Sequence, residues 1–205
     1  MPMNTFSKIL LSADELQLVN NTEWILTKRI IIEKVNQLLG HISEQQKRVI
    51  ENEKDWLPDA VIQSTPKIAK GENYLQLPYM LLDYPRCFDG VNVFAVRTMF
   101  WWGNFFSITL HLSGAYKEML QKKIIENVDA VTQEVFICIN ENQWQHHFGA
   151  DNYTNIKKLQ TNELLDVIIK KTFVKLALKF PLQAWNEIPS LLDDSFNQLI
   201  TMLKY

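Results

Sequence analysis

The chain has 205 residues, 47% of them apolar and 21% charged, with a formal net charge of −2. That length can bury a core without staples, the composition excludes wholesale disorder, and the charge excludes the molecule-wide positive field that attracts nucleic-acid backbones. Two cysteines, Cys87 and Cys138, are too few for a secreted disulfide scaffold and predict free thiols in a reducing compartment.

Met1–Leu18 lacks the basic start and long apolar run of a leader, and no stretch approaches the ~20 apolar residues of a membrane span. The expectation is a cytoplasmic protein with no membrane partner. Repeats, low-complexity tracts and glycine/serine linkers are absent, which predicts a single domain over 1–205.

Ser12 to Glu15 has the spacing of a capping box and predicts a short helix. A longer helix is expected from Thr22 to about Glu51, with Trp24, Ile31, Val35, Leu38 and Ile42 on one stripe. Gly40 weakens it, the part after Ser43 is mostly polar, and Leu57-Pro58 closes the region. Tyr74–Asp83 reads as extended, with Pro78 suggesting a sheet edge or bulge. Tyr84–Gly90 reads as a loop, and Val91–Trp102 and Phe105–Ser113 as two strands. In the second, Phe106, Ile108, Leu110 and Leu112 alternate with Ser107, Thr109 and His111.

Gly114–Val131 predicts a helix with Tyr116, Leu120, Ile124, Val128 and Val131 on its stripe. Residues 134–140 form a short apolar strand, and 140–155 a polar loop. Thr161–Phe180 is expected as one helix, buried through Leu165, Ile169, Phe173, Leu176 and Phe180. Pro189 opens a last helix with Leu192, Phe196, Leu199 and Leu203 in register. Regular βαβ alternation is missing. The fold class is therefore α+β, an antiparallel sheet of about four strands (meander 74–113 plus strand 134–140) packed with helices at both chain ends.

The local motifs of nucleotide, zinc and serine-hydrolase sites are all absent, which predicts no metal and no cofactor held by local spacing. His146 and His147 are adjacent, so on a regular element they point apart; the expectation is a pair of solvated loop histidines. Cys87 stands beside Arg86, which favours a thiolate, but no base is placed near it by sequence. Asp83, Arg86 and Asp89 form either an anchor for a polar ligand or a self-satisfied turn.

Arg97 lies inside the apolar run Phe94–Phe100 and needs a partner if buried. A two-residue turn at Gly103-Asn104 would set it among Phe106, Ile108 and Leu110. A three-residue turn sets it beside Ser107, Thr109 and His111, and polar matching favours that register. Its carboxylate is then Asp83 or Asp89, and the candidate ligand-binding set is Arg97, Thr109, His111, Asp83 and Arg86.

Aromatic rings crowd residues 74–106, but only Arg86 and Arg97 stand there against Glu72, Asp83 and Asp89, so a nucleic-acid partner is not expected. Trp101 and Trp102 must point to opposite faces of their strand. One helical layer covers only one of them, which makes the pair a candidate interface for a homo-oligomer. The functional expectation is a binding module whose aromatic-rich sheet takes a small molecule or a protein. Its alternatives are an enzyme with a dispersed site around Arg97 and His111, and a structural or self-association protein.

Overall fold

The computed structural model describes residues 9–204, so the first eight residues of the segment read for a leader lie outside it. The chain divides at Gln37 and Leu38 into two units. The first holds α1 (Ala13–Asn20) and the beginning of α2 (Thr22–Asn52). The capping box forms: Ser12 Oγ accepts from the Glu15 amide, and the Glu15 carboxylate accepts from the Ser12 amide. Asn21 Oδ1 accepts from the Trp24 amide at 2.9 Å and starts α2. None of the α1 side chains is buried.

In the second unit α2 buries Leu39, Ile42, Ser43, Gln46 and Ile50, a helical stripe that runs on into the part read as mostly polar. Leu39, Ile42 and Ile50 carry this burial, and Gln46 goes in with them, its Nε2 donating to Thr98 Oγ1 on the sheet at 3.4 Å. The predicted stripe therefore shifts from Leu38 to Leu39, and Trp24 is exposed. A short α3 (Asp59–Ile62) begins after Pro58.

The sheet has seven strands among the described residues, all paired antiparallel, in the order β1-β2-β3-β4-β7-β5-β6. They are β1 (Lys67–Tyr74), β2 (Leu77–Asp89), β3 (Asn92–Trp101), β4 (Phe105–Ser113), β5 (Phe136–Cys138), β6 (Tyr153–Asn155) and β7 (Phe173–Pro181). The α+β class stands; the count of about four strands does not. The largest correction concerns residues 161–180. The helix α5 covers only Thr161–Lys170, and Phe173–Pro181 is a central strand.

Leucine and phenylalanine at spacings of three and four mimicked a helical stripe there. The same residues also alternate: Val174, Leu176 and Leu178 are interleaved with Phe173, Lys175 and Ala177, and pairing on both sides decides the outcome. The true α5 stripe is Leu164 and Ile168, one residue away from the predicted one, and Ile169 is exposed.

The expected loop 84–90 is also strand. A bulge between Asp83 and Arg86 keeps β2 paired with β3, and Pro85, which has no N–H to give, sits inside it beyond the last β1 pair. β1 was not foreseen at all. Its turn, Leu75-Gln76, has φ of +48° and +67°, so two non-glycine residues occupy a conformation that the sequence does not advertise. The turn between β3 and β4 has three residues, since Trp101 pairs with Phe105 and Arg97 with Thr109; Gly103 supplies its positive φ.

α4 (Gly114–Asn127) and α6 (Ile188–Thr201) follow prediction, with Leu120, Ile124, Leu192, Phe196 and Leu199 buried. Helices cover the sheet face that carries Phe94, Phe106 and Leu110; Phe94 meets Tyr116 of α4, and Phe106 meets Trp185 just before α6. The opposite face carries Arg97, Thr109, His111 and Lys175, and residues 139–152 cover it without regular secondary structure. Among the described residues, no helix is long and apolar enough to cross a membrane.

Candidate functional site

Pairing alone gathers the polar face. Register sets Asp83 beside Arg97, Arg97 beside Thr109, and His111 beside Lys175 on four successive strands. Arg97 grips Asp83 with two parallel bonds, Nε to Oδ1 at 2.7 Å and Nη2 to Oδ2 at 2.8 Å. Burial works against the Arg97 charge, but the Asp83 carboxylate outweighs it and holds the guanidinium pKa above its usual value.

Arg97 Nη1 lies 2.8 Å from His146 Nε2. A guanidinium only donates, so that nitrogen accepts and the ring proton sits on Nδ1. Burial, then the cations Lys175 and Arg97, push the His146 pKa well down and keep the ring neutral. His111 is held neutral the same way: burial and then Lys175 lower it to about 3. Its Nε2 lies 2.8 Å from Gln143 Oε1 and, facing a carbonyl oxygen, donates. Lys175, 1% exposed, donates to the carbonyls of Gln143 at 2.9 Å and Gln145 at 2.6 Å; burial lowers its pKa to about 8.

The 139–152 segment is thus tied down by side chains reaching its backbone. Tyr74 adds a third tie, its hydroxyl accepting from the amides of His146 at 2.7 Å and His147 at 3.0 Å and donating to Gln145 Oε1 at 3.2 Å. Phe148 completes the cover, stacked on Tyr153 and edge-on to Phe105. So little room is left around Arg97, Thr109 and His111, about 10 Å³, that nothing larger than a water fits while the segment stays closed.

The structure brings four of the five expected residues together: Arg97, Asp83, Thr109 and His111. Arg86 stays apart, two positions along β3 from Arg97 and opposite Ala95, its amide donating to Ser64 Oγ; Asp83 turns to Arg97 instead. Asp89 is exposed. His146, expected in solvent, points inward because the guanidinium offers it a donor. Both cysteines are free thiols, and burial raises both pKa values, so Arg86 does not make Cys87 a thiolate; Cys87 Sγ donates to the Ala60 carbonyl. Trp101 is 5% exposed beneath Tyr74 and Phe105, while Trp102 is half-buried against Phe100 on the other face. Among the described residues, no three histidine, cysteine or acidic side chains converge as metal ligands.

Lys175, Gln143 and Trp144 were missed. Lys175 was hidden by the helical reading of its strand; taken as alternating, Phe173–Phe180 would have set it across from His111. Gln143 and Trp144 sit in a segment with no period, and no local signal marks them.

Trp144 and Gln143 also line a second, much larger space. A cavity of about 660 Å³ lies between the β2–β3 turn at Gly90 and Val91, the start of α4, and residues Lys171 and Thr172. Trp144 is 48% exposed, its ring standing edge-on to His111 at 5.4 Å. Lys117 on the cavity wall is only 6% exposed; it donates to Gln121 Oε1 and the Ile169 carbonyl, and burial lowers its pKa. Lys171 donates to the Asn140 carbonyl and pairs with Glu141 at 2.6 Å. The open end of α4 adds the partial positive charge of a helix start, with Asn92 Oδ1 accepting from the Ala115 amide.

Comparison with protein-family models, with curated proteins and with solved structures finds no match for this chain.

Proposed function

We propose that the chain is a binding module for a small anionic ligand with a flat ring, received in the cavity between the β2–β3 turn, α4 and Trp144. The observation that carries this reading is the cavity itself: about 660 Å³, within the range of small-molecule sites, with two lysines, one carboxylate (Glu118) and a half-exposed indole on its wall. Lys117 is held where burial disfavours its charge and Glu118 offsets only part of that cost, so an anion in the cavity would relieve the rest. The face of Trp144 offers a stacking surface. Arg97, held by Asp83, and His111 serve this reading from beneath, by bonding His146 and Gln143 of the segment that presents Trp144.

Thermal denaturation with phenyl phosphate, inorganic phosphate and phenol at millimolar concentration tests it. Phenyl phosphate is expected to raise the melting temperature most, by roughly 5–10 °C at a hundredfold excess over its Kd. The shift should shrink in Lys171→Met and Trp144→Ala. No shift with any of the three probes, or a shift that both variants preserve, overturns the reading.

A further inference from the structure

The apolar surface of this protein is unevenly distributed. Ten of the eighteen exposed large apolar side chains among the described residues lie between Ile9 and Ile30, with exposures of 45–75%. α1 buries none of its side chains, and Trp24, Ile25, Leu26 and Ile30 of α2 stand open to solvent. Together they expose on the order of 1,000 Å² of apolar surface, spread around both helices, part of which a second copy can cover.

Charge along the same segment is polar in the axial sense. Residues 9–23 carry Asp14, Glu15 and Glu23 with no lysine or arginine; residues 24–37 carry Lys28, Arg29 and Lys34 against Glu33 alone. An acidic first half and a basic second half suit one arrangement of two identical segments. Laid antiparallel, the acidic half of each meets the basic half of the other; laid parallel, like charges face each other along the whole length.

We infer that residues 9–37 form a self-association arm, pairing antiparallel with the same segment of a second copy about an axis near Leu26. Leu26 and Ile30, four apart on one face of α2, supply the apolar centre, and Glu23 of one copy lies beside Arg29 of the other, joining the Arg29–Glu33 pair within the helix. The pairing is isologous, so a single patch of sequence satisfies both sides. It is independent of the cavity and of Trp101 and Trp102, which belong to the sheet.

Sedimentation velocity of the full chain over a hundredfold range of concentration tests the inference. A dimer is expected, reverting to monomer in Leu26→Ser/Ile30→Ser, with helix content checked by circular dichroism. Glu23→Arg and Arg29→Glu should each weaken association about tenfold, and the double exchange should recover most of that loss. Monomer at every concentration overturns the inference, as does a dimer unaffected by the serine changes. Charge variants that weaken association with no recovery in the double exchange overturn the antiparallel arrangement. Binding of a monomeric chain to anionic phospholipid vesicles, lost in the serine variant, would assign the arm to a membrane surface and overturn it equally.

Discussion

The two faces of the sheet are covered by opposite means. On one, Phe94, Phe106, Ile108 and Leu110 meet helices whose apolar stripes repeat every three or four residues. On the other, Lys175, Tyr74, His111 and Arg97 reach up to the backbone and side chains of a segment with no helix or strand. Shape complementarity of non-directional contacts holds the first cover; a small number of directional bonds, together with the packing of Phe148 on Tyr153, Phe105 and Phe136, holds the second. A face covered in the second way can come off without unfolding the first, which suits a segment that presents a ligand-facing tryptophan.

Substitutions should separate the two covers by size and kind. The largest effect belongs to the helical face. Phe106→Ala, at a fully buried position, should cost about 3–5 kcal/mol in urea denaturation with global loss of structure. A cost below about 1 kcal/mol would place the core elsewhere.

Next comes the ion pair. Arg97→Met leaves the buried Asp83 carboxylate without its cation and should cost roughly 2–4 kcal/mol, while Arg97→Met/Asp83→Leu should recover most of it. If the double variant is as unstable as the single, the guanidinium matters through His146 and the covering segment more than through Asp83.

Acid should act on the polar face through its buried histidines. His111 takes up a proton near pH 6.5 in the unfolded chain but only near 3 when folded, so the unfolded state binds the extra proton between these values. Stability is flat above about 6.5 on this account and falls as pH drops through the window, by about 1.4 kcal/mol per pH unit for this group. His146, shifted in the same direction, adds to the fall. His111→Gln should reduce the slope by one proton; an unchanged slope would mean that the ring is solvated in the folded state.

The smallest effect lies outside both covers and serves as a yardstick. Replacing Leu75-Gln76 by Asn-Gly relieves two positive φ angles and should stabilise the chain by about 1 kcal/mol, read as a rise in the urea midpoint.

The helical face was legible in sequence and the polar face only partly so, for the same physical reason. Periodicity announced α4 and α6 because apolar burial repeats with the helix, and the alternation of Phe106 to Leu112 announced β4. Arg97 could be given a carboxylate, Asp83 or Asp89, because a charge inside an apolar strand demands a partner. Its β4 neighbours could be narrowed because the turn offered only two registers. Nothing comparable announces residues 139–152, whose order comes from Lys175 and Tyr74, far away along the chain. Periodicity even misled at Phe173–Pro181, where leucines satisfied the helical and the strand pattern together and only the neighbouring strands could choose.

Tyr74 lies at the end of β1, a strand at the margin of the sheet, and its oxygen holds two amides 72 and 73 positions away. When that margin frays, the phenol leaves with it, and the amides of His146 and His147 lose their acceptor at the same moment. Solvent exchange at those two amides therefore clocks the opening of a hairpin they do not belong to. The relaxed turn at 75 and 76 should slow it by the same free energy with which it stabilises the hairpin.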